Sequence, residues 1–129
     1  MERTYLTVRD VEEIYAEVFK ATGGADIRDR GGLESAVFRP QTGHYADLFE
    51  EAAALMESLT MNHPFVNGNE GTALTAVEVF LDYNGHMLNI EGRAAYDLFM
   101  DHIRKGTVWF PTVVERLRRH VHPRTDPKR

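Results

Sequence analysis

The chain has no cysteine, so disulfides, thiol catalysis and cysteine-based zinc sites are excluded. It has one tryptophan and only five prolines, and no apolar run near the ~20 residues that a membrane-spanning helix needs. Residues 1–9 lack the apolar core of a secretory leader, so neither secretion nor membrane insertion is expected. The absence of cysteine suits a reducing cytoplasm, the expected location. A basic surplus is missing too: the net charge is −5. Residues 111–129 carry Arg116, Arg118, Arg119, Arg124, Lys128 and Arg129 against Glu115 and Asp126, which leaves the rest at −9. A nucleic-acid binder shows a broad basic face, and this acidic body predicts no direct nucleic-acid binding.

What is present is the balance of a soluble globule, 43% hydrophobic and 27% charged over 129 residues, enough for one domain with a core. Thr7 and Asp10 form a capping-box pattern ahead of Val8, Val11, Ile14, Tyr15, Val18 and Phe19, one apolar stripe at helical spacing. Gly23-Gly24 should end that helix. Residues 25–32 read as a loop and 33–38 as a short helix halted before Pro40. The stretch Pro40, Gln41, Thr42, Gly43, His44, Tyr45 predicts a turn or a strand-like flap. Asp47 should cap a central helix running to about Asn62. A second apolar helix follows residue 68 and stops at Asn84-Gly85. Amphipathic segments at 92–105 and 111–120 complete an all-α bundle of about six helices, a single domain over 1–121. The remainder, 122–129, should be a flexible basic tail. His120 and His122 lack a fixed third partner and are read as surface residues, while Trp109 and Phe110 read as packing.

The chemistry concentrates between the two most apolar helices, in His63-Pro64-Phe65-Val66-Asn67-Gly68-Asn69-Glu70-Gly71-Thr72. A Gly/Asn turn leading straight into a helix points unpaired N–H groups at whatever lies above the helix N-terminus, and the helix dipole adds to the attraction for an anion such as phosphate. His63, arriving from the preceding helix, would stand beside that anion, and imidazole can take a proton from an attacking hydroxyl. Phe65 is expected to anchor the loop in the core.

This segment resembles the signature of the Fic/Doc family, HPFxxGN followed by Gly-Arg in the Fic branch or Lys-Arg in the Doc branch. The order of the surrounding pieces is similar to Doc proteins over about residues 4–119: Arg28-Asp29, Leu33-Glu34-Ser35-Ala36, Arg39-Pro40-Gln41, Asp47-Leu48-Phe49-Glu50, Thr72-Ala73-Leu74 and Asn84-Gly85. The resemblance implies an all-α fold and transfer of AMP or phosphate from ATP, with Mg²⁺, to a protein hydroxyl. For the Doc branch it implies a toxin that phosphorylates elongation factor Tu and is neutralised by a cognate antitoxin. It assigns the catalytic base to His63 and the magnesium position to Asn67. It makes Gly68, Asn69, Glu70 and Gly71 the nucleotide-phosphate site, with Asn69 touching phosphate, and Pro40 to Tyr45 the target-aligning flap.

Two positions depart from that pattern. Glu70-Gly71 stand where the Doc branch has Lys-Arg. Gly71 removes the bidentate guanidinium fork that would clamp phosphates. Glu70 puts an anion beside the anion site, and at an effective dielectric of ~20 like charges ~6 Å apart repel by roughly 2–3 kcal/mol. Loss of such a clamp elsewhere costs on the order of 10³-fold in rate. Asn67 keeps an oxygen donor but not a carboxylate. The expectation is therefore a Doc-like toxin with impaired transfer. The alternative, from a different class, is a module that binds an anion, nucleotide or peptide without chemistry.

Overall fold

The computed structural model describes residues 2–19, 27–90, 92–105 and 109–125. Six helices dominate them: α1 (Val8–Phe19), α2 (Arg30–Phe38), α3 (Leu48–Met61), α4 (Asn69–Tyr83), α5 (Gly92–Lys105) and α6 (Phe110–His120), with a 3-10 turn at Arg39–Gln41. Two short strands, β1 (His86–Leu88) and β2 (Val121–Pro123), pair antiparallel with Met87 opposite His122.

Helix starts follow the local chemistry. Thr7 and Asp10 satisfy each other's backbone N–H through their side chains, at 2.9 and 3.0 Å. Asp47 Oδ1 accepts from the Glu50 N–H at 3.0 Å and caps α3. Asp29 does the same for α2, accepting from Gly32 at 2.8 Å. That cap moves the start of α2 ahead of the expected residue 33, so Arg30, Gly31 and Gly32 are helical rather than loop. The expected stop at Gly23-Gly24 lies outside the described residues.

Helices α3 and α4 form the centre, and α3 also packs on α2 and α6. Ala52, Ala53 and Ala54 are all buried, and small side chains on α3 let its neighbours approach closely. The one carboxylate buried there, Glu51, accepts from Arg3 Nε at 2.6 Å and from the Tyr5 hydroxyl at 3.2 Å. Burial, then the Glu51 charge, holds the Tyr5 phenol above its ordinary value. Trp109 is buried, its indole N–H donating to the Phe99 carbonyl at 2.8 Å, so it packs as expected.

One expectation needs correction. The tail is not loose from residue 122: His122 and Pro123 belong to β2, and the Arg124 N–H donates to the Gly85 carbonyl at 3.0 Å while its guanidinium grips Asp82. The edge of β1 supplies partners that the tail's polar composition does not advertise; residues 126–129 lie outside the described set. Of the two readings of Pro40 to Tyr45, the turn describes it and the strand does not. Its start, Pro40 and Gln41, completes the 3-10 turn, where Pro40 is buried; Thr42 and Gly43 are bends, and Gln41 through His44 are exposed. Arg39 pins this segment, donating to Tyr45 Oη (2.7 Å), Glu57 (2.9 Å) and Ser58 Oγ (2.8 Å). Burial works against the Arg39 charge, but the bonds to Tyr45 and Glu57 outweigh it and raise its affinity for the proton.

Candidate functional site

Helix α3 ends at Met61 with Asn62 as its C-cap, and the next residue, His63, takes a left-handed backbone with φ 48°. For a residue with a Cβ this conformation costs roughly 1–2 kcal/mol. It is held by outside contacts. Arg28 donates from Nε to the His63 carbonyl (2.8 Å) and from Nη2 to that of Asn62 (3.1 Å). The N–H groups of Arg28 and Asp29 both reach the Pro64 carbonyl, at 2.7 and 3.0 Å, and Ile27 bridges to Phe65. The segment just before α2 is thus a strap across the motif loop. Sequence reasoning placed Arg28 within the family-like pattern but gave it no role.

The left-handed step turns the His63 side chain out of the helix, where it is exposed. Its Nδ1 lies 3.0 Å from the Met61 carbonyl. A carbonyl only accepts, so Nδ1 carries a proton, and in the neutral ring Nε2 then presents a lone pair. That is the tautomer a general base requires.

Phe65 fastens the middle of the loop. Its ring is buried and stacks on Tyr15 with centroids 4.0 Å apart and planes 2° from parallel. Asn69 grips the same residue from the first position of α4: Oδ1 accepts from the Phe65 N–H at 2.9 Å and Nδ2 donates to the Phe65 carbonyl at 3.0 Å. The Asn69 side chain is buried and spent on the loop. What it can offer an anion at the helix mouth is its backbone N–H, a different contribution from the side-chain contact the family pattern implied.

Gly68 is the N-cap of α4, left-handed at φ 74°, with no side chain to cap the helix. The first intrahelical bond runs from Thr72 N–H to the Gly68 carbonyl at 3.0 Å. Helix geometry then leaves the N–H groups of Asn69, Glu70 and Gly71 without intrahelical acceptors. Asn67 is exposed, and its Oδ1 receives only a long bond, 3.4 Å, from the Tyr15 hydroxyl. The Glu70 carboxylate accepts a hydrogen bond from the Tyr96 hydroxyl on α5.

A groove of about 550 Å³ joins these pieces. Its walls include His63, Asn67, Gly68, Asn69, Glu70 and Gly71, and so the structure brings six of the expected site residues together. Phe19, Thr60, Met61, Val66 and Tyr96 complete it, and these five were not expected from the sequence. None of Pro40, Gln41, Thr42, Gly43, His44 or Tyr45 lines it. No lysine or arginine among the described residues lines it either, so none of them sets a fixed cation against the Glu70 carboxylate there. Phe19 was read as the end of an apolar stripe with no role at the site, yet its exposed ring faces the groove. The only hint in the sequence is its position in the last turn before a glycine pair.

The oxygen donors of the groove, Asn67 Oδ1 and the Glu70 carboxylate, are of the type a hard divalent ion takes. Among the described residues no cluster of three His, Cys, Asp or Glu side chains forms a dedicated cage. Such a donor set suits Mg²⁺ carried largely by a ligand's phosphates.

The model of the Fic/DOC family matches residues 5–81, more than half of the chain. A curated relative, Toxin Doc of Mycolicibacterium smegmatis, is 41% identical over 85 residues, which cover 61% of this chain. The match spans 65% of that relative's length, slightly under two thirds.

Proposed function

The chain belongs to the Fic/Doc family, and on that premise we propose that it is a Doc-like toxin, a weak ATP-dependent transferase of a toxin–antitoxin pair. The observation that carries the reading is one juxtaposition. A histidine with Nε2 free for a proton stands in the same groove as the uncapped N-terminus of α4. The N–H groups there suit a phosphate, and the histidine suits the hydroxyl that attacks it.

In the proposed reaction a serine or threonine hydroxyl of the target approaches the terminal phosphorus of ATP. Its oxygen forms the new P–O bond, its proton passes to His63 Nε2, and the bond to the bridging oxygen breaks to release ADP. In the AMP-transferring variant of the same step, attack falls on the innermost phosphorus and pyrophosphate leaves. Mg²⁺, when bound through Asn67, would offset phosphate charge. Elongation factor Tu is the target, and a short antitoxin the neutralising partner, that this reading carries over from the Doc branch. No helix among the described residues is long and apolar enough to cross a membrane.

Impairment is part of the proposal. Among the described residues the groove holds a carboxylate and no fixed cation, so of these it is the positive end of α4, with the metal, that stabilises phosphate charge. Because Tyr96 draws the Glu70 carboxylate toward α5, the repulsion is reduced rather than removed. The same shortage of cations favours the second reading, a module that binds without transferring.

The test uses ATP labelled at either the γ or the α phosphate, purified elongation factor Tu, and the chain with and without Glu70→Lys plus Gly71→Arg. An added Cβ at Gly71 would lie 3.2 Å from Phe19 Cζ, so the ring must give by a few tenths of an ångström. Faster labelling by the double variant supports an impaired toxin, and the label's position identifies the group moved. Equal rates for both proteins would sink the impairment. Nucleotide binding without labelling in either protein would favour the binding module.

A further inference from the structure

We propose that Phe19 is the specificity-determining residue of the groove, the surface against which the base of a nucleotide ligand lies. The proposal rests on the nucleotide reading above and deepens it. A Cβ added to Gly68 would lie 2.6–2.9 Å from three carbons of the Phe19 ring, and one added to Gly71 would lie 3.2 Å from Cζ. The two glycines are therefore the seat of the ring. At position 71 the family pattern calls for an arginine, and here an aromatic edge stands against that backbone instead.

The ring is not loosely placed. It packs on Tyr15 with centroids 5.4 Å apart, and Tyr15 stacks on the buried Phe65 at 4.0 Å. An aromatic column thus runs from the core beneath the motif loop to the groove, and its outermost member is 40% exposed. Met61 and Val66 on the same groove are 56% and 63% exposed. Apolar surface of this kind beside free backbone N–H groups matches a ligand that carries both a flat apolar face and an anion. A nucleotide has both. Recognition would come from stacking and backbone donors, in place of the missing guanidinium.

Calorimetric titration of the full chain with ATP and with inorganic tripolyphosphate, each with Mg²⁺, tests this on wild type, Phe19→Ala, Phe19→Leu and Phe19→Trp. Stacking on one ring predicts that Phe19→Ala weakens ATP on the order of tenfold, Phe19→Leu does so too while filling more of the space, and Phe19→Trp retains the affinity. Tripolyphosphate binding should not change. Tighter ATP binding by Phe19→Ala would make the ring a plug and overturn the proposal. Equal weakening of both ligands would overturn it as well, since the ring would then only support the loop. If wild type binds tripolyphosphate as tightly as ATP, the base has no platform, yet the phosphate site survives. If wild type binds neither, the nucleotide reading itself fails and takes this one with it.

Discussion

Asn69→Ala separates a loop-holding role from a ligand-holding one. The wild-type side chain makes two hydrogen bonds to the backbone of Phe65, at 2.9 and 3.0 Å, and both residues are buried. Each such bond contributes about 0.5–1.5 kcal/mol net, and each buried backbone group left unpaired costs about 1–3 kcal/mol. These two figures describe overlapping losses, so about 2–4 kcal/mol is expected for the substitution. A domain of this size shifts by roughly 3–5 °C per kcal/mol, which places the loss of Tm at roughly 6–20 °C. Calorimetry on purified protein reads it directly. Asn69→Asp should recover only part, because a carboxylate can accept from the Phe65 N–H but cannot donate to its carbonyl. A Tm within about 2 °C of wild type, accompanied by lost nucleotide binding, would refute the reasoning. In that case the side chain would face the ligand.

Other expectations follow from the same geometry. Phe65→Ala should cost about 3–5 kcal/mol, since it removes a buried ring and its stacking on Tyr15, read by denaturant unfolding. Arg28→Ala should leave the fold intact but speed hydrogen exchange of the amides of His63 and of residues 65–68, because the carbonyls of Asn62 and His63 lose their donor; unchanged exchange would show that the Pro64 and Phe65 contacts suffice. Asp47→Ala should lose about 1 kcal/mol from the α3 cap. At Asp47, burial raises the carboxyl pKa, but the Glu50 N–H and Arg118 overcome it and hold the group below its ordinary value. The stabilisation from this charge is present above the unfolded-state pKa and disappears as pH falls through the lower folded-state value. The stability gap between wild type and Asp47→Asn should therefore close on acidification, and a gap that persists below pH ~2 contradicts the ionic role.

The sequence alone determined the helical elements and the address of the site. Helix periodicity, the Thr7–Asp10 and Asp47 caps and the Asn84-Gly85 stop are local interactions within a few residues, and local interactions are what a linear pattern records. The loop from His63 to Thr72 was legible for the same reason: its turn residues and its helix start are contiguous. The tertiary structure decided how each site residue is used, because those uses depend on partners distant in the chain. Arg28 reaches across 35 residues to the His63 carbonyl, and Tyr96 across 26 to Glu70. Asn69 belongs to both classes, a residue whose importance was visible but whose side chain packing had already committed to Phe65. Phe19 and the 122–123 strand show the limit most clearly. An apolar residue at helical spacing is buried only if something covers it, and a polar tail is loose only if no strand edge waits for it. Burial and strand pairing are properties of the neighbours, which three-dimensional packing alone supplies.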